Sequence, residues 1–210
     1  MKAYKFRSSS QIAFAFDIII NSRLYCANWK ECNDPTEGLF FYQHSLTSDI
    51  DVINKRVNDI EMAKNKYKIC SLSLTFDSFL LWAHYAGGFD GVAIEVELPD
   101  DDPNIRKVES RGIFDFVDMA KFTEEDDVAR RLLFSKHIDW SYEKEIRILN
   151  ESEWYKLKFP ITRVIAGARM GKALFEVLNI VCTSKNITLN KVGIGDEGID
   201  ADYVTPYKFF

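Results

Sequence analysis

The sequence predicts an α+β fold in a single domain over residues 1–210, a sheet core with helices at its edges. Three observations predict it. Segments of period two and segments of helical period follow one another without a regular β-α-β rhythm, which disfavours a doubly wound parallel sheet. Hydrophobic residues make up 47% and aromatics 14% of the chain, enough for one well-buried core. No internal repeat, low-complexity tract or Pro/Gly-rich linker marks a boundary.

The elements follow in order. Tyr4-Lys5-Phe6-Arg7 alternates as a short strand, and Ser8 to Ser10 supply a cap for a helix whose apolar stripe is Ile12, Phe16, Ile19 and Ile20. Leu24–Ala27 reads as a second strand and Asn33-Asp34-Pro35 as a turn. Ser48 caps a helix bearing Ile50, Ile53, Val57 and Ile60 at spacings of three and four. Lys68–Leu74 is a strand, and Asp77 caps a short apolar helix that runs through Tyr85 and stops at Gly87-Gly88. Gly91–Leu98 reads as a buried strand, followed by an acidic loop from Pro99 to Pro103. Strands at Ile105–Glu109 and Ile113–Val117 precede a Thr123-capped helix carrying Val128, Leu132 and Leu133. Strands at Tyr142–Leu149, Trp154–Phe159 and Arg163–Ala168, a helix near Lys172–Thr183, and strands at Thr188–Ile194 and Tyr203–Lys208 complete the chain.

Charge and cysteine usage narrow the function. A net charge of −5 and a pI near 5.3 provide no general field for nucleic acid. The four cysteines form no Cys-x-x-Cys pair and the three histidines no zinc spacing, so no metal is expected from the pattern. Without a signal-like segment or an apolar run of spanning length, the expected setting is a reducing cytoplasm, off the membrane. No Gly-x-Gly-x-x-Gly or Walker loop occurs, which argues against a Rossmann or P-loop nucleotide site.

The residues that can carry chemistry cluster in a few segments. Read as a strand, Trp140–Arg147 puts Trp140, Tyr142 and Ile146 on one face and Glu143, Glu145 and Arg147 on the other. Two carboxylates and a guanidinium in a row can grip a polar ligand, or can be a solvated face. Arg147 is either a ligand contact or a counter-charge to the two glutamates. Arg7 can hold a phosphate bidentately, and Ser71, Ser73 and Thr75 share a face from which hydroxyls can orient a ribose. Trp82 and Tyr85 read as core residues, and His84 is either a structural histidine, the reading the pattern favours, or an acid–base group or ligand contact. Glu95 and Glu97 share a strand face, yet neither Glu-Val-Glu nor Glu-Lys-Glu supplies the lysine of a Glu-x-Lys nuclease signature. A metal-dependent nuclease is therefore the outsider.

Five segments in order resemble a bacterial and phage family catalogued as domain of unknown function number twenty-nine seventy-one. They are Tyr4–Ser8, Asn33–Glu37, Cys70–Ser73, Leu81–Ala86 with Gly91, and Lys136 with Trp140–Arg147. Phe89-Asp90 stands where that family carries a histidine-bearing loop. More distantly, the order arginine, Ser-x-Ser, Glu-x-Glu is similar to the arginine-serine-glutamate class of ADP-ribosyltransferases. That resemblance implies a mixed, largely antiparallel split β-sheet with peripheral helices, binding NAD across a cleft. Arg7 would clamp the pyrophosphate, Ser71 or Ser73 would fix the nicotinamide-ribose side, and Glu145 would hydrogen-bond the ribose 2′-hydroxyl. Glu143 would position or deprotonate the acceptor, with Tyr85 and Arg147 as further cofactor contacts. The expectation is thus an NAD-dependent transferase, of the kind found among toxins and antiphage effectors, acting on an acceptor the sequence does not name. An antitoxin or a second copy of the chain would be its partner. The alternative is a non-catalytic nucleotide- or partner-binding regulatory module using the same cleft.

Overall fold

Strand β1 (Lys2–Arg7) carries the pattern that organises the molecule, because its two faces enter two different cores. The computed structural model describes residues 1–44, 49–112, 114–121, 124–195 and 198–200. In chain order the elements that frame the site are β1, α1 (Ile12–Asn21), β2 (Ala27–Asn28), α2 (Ile50–Asn65), β3 (Lys68–Ser73) and α3 (Phe79–Tyr85). They continue with β4 (Val92–Glu97), β5 (Ile105–Lys107), α4 (Glu125–Leu133), β6 (Glu145–Asn150), β7 (Arg163–Ala166), α5 (Lys172–Ser184) and β8 (Thr188–Lys191).

The main sheet runs β8-β7-β4-β1-β3-β6-β5, with β2 added to β3. Within this sheet, among the described residues, only β7 and β8 pair in parallel, so the fold is α+β with a mixed, mostly antiparallel sheet. The β1–β3 junction is exceptional. β1 pairs with β4 along its whole length, Lys2 with Glu97 through Arg7 with Val92. β3 pairs with β6 along its whole length too. Between β1 and β3 there is a single register pair, Tyr4 with Ser73. The two halves are joined at that point and part beyond it. Further along the same strand, Ile69 and Lys68 take β2 as their partner instead.

Ala3, Cys70, Leu72, Val92, Ile94, Ile146 and Ile148 form one core with Ile18 and Ile19 of α1 and Leu178 and Cys182 of α5. Tyr4, Phe6, Ala93 and Ile165 face the other way and pack under Leu81 and Trp82 of α3. Trp82 is fully buried, stacked on Phe89 and edge-on to Phe6, with its indole N–H donating to the Phe76 carbonyl at 2.7 Å. Gly91 lets the chain cross close behind β1: a Cβ there would collide with the Arg7 carbonyl oxygen.

Several expectations change. Trp140–Arg147 is not one strand. Ile138–Glu143 forms a 3₁₀ turn, Lys144 adopts a left-handed conformation at φ 43°, and β6 starts only at Glu145. Alternation of aromatic and charged residues imitates a strand there, while the Asp139 amide bonds back to the His137 ring and opens the turn. Trp140 is consequently half-buried rather than a core residue. Ser9–Gln11 forms its own 3₁₀ turn, and no serine side chain caps α1. α3 begins after Ser78 rather than Asp77, without a side-chain cap. The strand expected over Trp154–Phe159 is only Trp154–Lys156, and Phe40–Gln43 is a strand the pattern did not suggest, paired in parallel with Asp115–Asp118. Ser48, Thr123, Ile113 and Tyr203–Lys208 lie outside the described residues; Asp49 accepts from the Asp51 amide at the start of α2. Among the described residues no helix is long and apolar enough to cross a membrane.

Candidate functional site

Where β1 and β3 part, a cleft of about 240 Å³ opens between the two halves of the sheet. Arg7, Ser71, Ser73, Tyr85, Glu143 and Glu145 all line it. Arg147 does not.

One wall is cationic. Lys5 and Arg7 sit two apart on β1 and so share a face. Lys5 Nζ reaches across the gap to the Ser71 carbonyl at 2.7 Å. Arg7 has one bond, from Nη1 to the neighbouring Phe6 carbonyl at 3.3 Å, and its buried Nε has no partner among the described residues. Burial pushes both groups below their ordinary values, and for Lys5 the Arg7 charge adds to the effect. Among the described residues neither cation is paired with a carboxylate, and the Cys70 side chain lies near both.

The opposite wall is a buried ion network. Lys136 Nζ bridges Glu143 at 2.7 Å and Glu145 at 3.2 Å. Arg147, fully buried, donates from Nε to Glu145 at 3.0 Å and holds both oxygens of Glu37 at 2.7 and 3.0 Å. It also donates to the Leu133 carbonyl. Burial alone would raise Glu145, but Arg147 and Lys136 outweigh it and hold the carboxyl at about 2. Lys136 would be lowered by burial and is instead raised by Glu145 and Glu143. Glu37 behaves differently: burial outweighs Arg147 and leaves it raised. Tyr85 donates to Glu143, and burial together with that carboxylate raises the phenol.

The two serines have separate tasks. Ser73 is buried, and its hydroxyl donates to the Glu143 carbonyl at 2.6 Å while accepting from the Thr75 amide at 3.1 Å. It fixes the end of the 3₁₀ turn. Ser71 is only half-buried, and its hydroxyl helps hold Glu145 down. Arg147, expected as a ligand contact or a counter-charge, takes the second role. It fastens the Asp34–Glu37 loop to β6.

Lys5, Lys136, Asp34 and Glu37 belong to the site without having been picked out as site residues. Lys5 was available from its i,i+2 relation to Arg7. Glu37 and Lys136 stood only within the segments that carry the family resemblance: the Glu37–Arg147 contact spans 110 positions, whereas Lys136 reaches Glu143 and Glu145 across seven and nine.

Glu95 stands apart. It lies in one row across the sheet with Tyr4, Ser73 and Glu145, three strand spacings or roughly 14 Å from Glu145. It is engaged by Lys2 at 2.8 Å and Tyr4 at 3.0 Å. The two Glu-x-Glu pairs therefore cannot share one cation, whose carboxylate ligands lie within about 2.6 Å. Among the described residues no group of three His, Cys, Asp or Glu side chains is placed to hold a metal. No family model matches the chain, and neither curated proteins nor solved structures provide a match.

Proposed function

We propose that the chain is an NAD-dependent ADP-ribosyltransferase whose active site is the cleft between β1 and β3. The observation that supports this reading is the meeting of Arg7, whose buried Nε has no partner among the described residues, with Ser71 and the Glu143/Glu145 pair around one opening. The residues suit a dinucleotide. A cavity of about 240 Å³ is smaller than the roughly 300–1,000 Å³ that encloses a drug-sized ligand, so it takes one half and leaves the other at the mouth.

Bound NAD would supply a glycosidic bond whose electron pair leaves with the neutral nicotinamide. Arg7, through its free Nε, and Lys5 hold the pyrophosphate. Ser71 orients the adjoining ribose. Glu145, ionised at neutral pH because Arg147 and Lys136 overcome its burial, accepts from a ribose hydroxyl and stabilises positive charge developing at C1′. Glu143, between the Tyr85 hydroxyl and Lys136 Nζ, receives the acceptor's proton on a carboxylate oxygen.

The test is nicotinamide release from NAD by the purified protein, wild type against Glu145→Gln. Release by the wild type alone supports the reading, and equal release by the variant overturns it.

A second reading rests on one feature of the same network. Glu145 already has a cation on each oxygen, Arg147 on Oε1 and Lys136 on Oε2. A carboxylate so neutralised suits a non-catalytic nucleotide-binding module. NAD binding without release would select it.

A further inference from the structure

Three buried side-chain polar atoms lack a hydrogen-bond partner among the described residues: Arg7 Nε, Asp34 Oδ2 and the Tyr155 hydroxyl. Two of the three, Arg7 and Asp34, line the same cleft. A buried polar atom left unmade costs the full desolvation of the group, and for a carboxylate the cost is greatest. Asp34 is 5% exposed. Its Oδ1 accepts from the Thr36 amide at 2.8 Å and the Thr36 hydroxyl at 2.6 Å, which accounts for the turn. Oδ2 contributes nothing to that turn, and among the described residues no cation is paired with it. Lys136 and Arg147 are spent on Glu37, Glu143 and Glu145.

We infer that Asp34 is a ligand-binding residue that accepts a hydrogen bond from a sugar hydroxyl, and that the cleft takes a phosphorylated polyol with its anion on Arg7 and a hydroxyl on Asp34. The orphan pair specifies this class. Arg7 offers an unused N–H to an anionic acceptor, and Asp34 offers an unused lone pair to a donor. The donor is a neutral hydroxyl: Glu31, Glu37, Glu143 and Glu145 line the cleft beside Lys5, Arg7 and Lys136, and a phosphorylated polyol presents a hydroxyl alongside the anion that Arg7 takes. The inference rests on the nucleotide reading and deepens it. It adds a second polar anchor, on the loop that Glu37 and Arg147 tie to β6.

The experiment is titration calorimetry with two probes, ADP-ribose and inorganic pyrophosphate, on the wild type, Asp34→Asn and Arg7→Gln. Asparagine keeps an oxygen for the Thr36 turn and replaces the free lone pair by a donor. Asp34→Asn should weaken ADP-ribose by about ten- to a hundredfold, the range for a hydrogen bond to a charged group, and leave pyrophosphate unchanged. Arg7→Gln should weaken both probes. A separate thermal melt of Asp34→Asn should match the wild type, since the Thr36 turn keeps its oxygen; a large fall would mark a purely structural Asp34. Equal ADP-ribose affinity in the wild type and Asp34→Asn overturns the inference while the nucleotide reading stands, as does a parallel loss of both probes. Absence of ADP-ribose binding to the wild type overturns both.

Discussion

Arg147→Met tests whether the buried network is the frame of the cleft. The guanidinium is fully buried and neutralises two carboxylates, Glu37 with both oxygens and Glu145. Methionine fills much of the same length, so the cavity contribution is small and the loss is electrostatic. Glu145 keeps Lys136, whereas Glu37 keeps no cation among the salt bridges of the described residues. Removing one partner of a buried pair costs about 3–5 kcal/mol, a large share of the roughly 5–15 kcal/mol expected for a whole domain. For a chain of this size that is a fall in Tm of about 6–20 °C. Urea unfolding followed by far-UV circular dichroism measures the loss directly, with an unchanged m value showing that the unfolded state is not altered. Adding Glu37→Gln should recover part of it, because the stranded charge goes with its partner. A loss under about 1 kcal/mol for the single variant, or no recovery in the double, would refute the assignment of Arg147 as the counter-charge.

Trp82→Ala should cost about 3–5 kcal/mol by urea unfolding, since the ring is fully buried between Phe6 and Phe89; a loss below 1.5 kcal/mol, about what a volume-conserving swap costs, would place α3 off the sheet. The depressed Glu145 makes stability depend on pH in a definite direction. Its folded value of about 2 lies below the ordinary 4.5, so its contribution is whole above pH 4.5 and lost as pH falls towards 2. Glu37, raised by burial and in smaller part by Glu145 itself, acts in the opposite sense, so the comparison reads Glu145 together with its effect on Glu37. Between pH 5 and 2.5 the urea midpoint of the wild type should therefore fall more steeply than that of Glu145→Gln, and parallel slopes would contradict the network.

Much of the secondary structure was legible because it is local. β1, β3, β4 and α5 announce themselves through alternation or helical spacing, and the missing β-α-β rhythm already pointed to α+β. The error at Trp140–Lys144 has an equally local cause. Residues alternate as in a strand, yet the chain turns through a left-handed Lys144, which no side-chain pattern reports. Glu143 and Glu145 still meet, through Lys136 rather than through a pleat. What no pattern could supply is the partner of Arg147. An arginine two residues from a glutamate reads as a binding pair until Glu37, 110 positions earlier, occupies its fork. The orphan atoms were hidden for the same reason. Asp34 looks like any Asx-turn residue until its second oxygen is found buried.

The parting of the sheet follows from the same charges. Had β1 and β3 continued to pair beyond Tyr4 and Ser73, the antiparallel register would set Lys5 opposite Leu72 and Arg7 opposite Cys70, closing the gap through which these two cations, already on the face of Ile94 and Val92, reach the cleft. Burying an unpaired charge costs far more than the roughly 0.5–1.5 kcal/mol net that each ladder hydrogen bond contributes. The strands separate instead, and Lys5 gives its ammonium to the Ser71 carbonyl. The closing of the sheet and the charging of the cleft are therefore alternatives. Replacing Lys5 and Arg7 together by valines should let the ladder lengthen, and amide hydrogen exchange reads this as new protection at Ser71 and Phe6. Unchanged exchange there would mean that the α1 and β2 connections hold the split open, and not the cations.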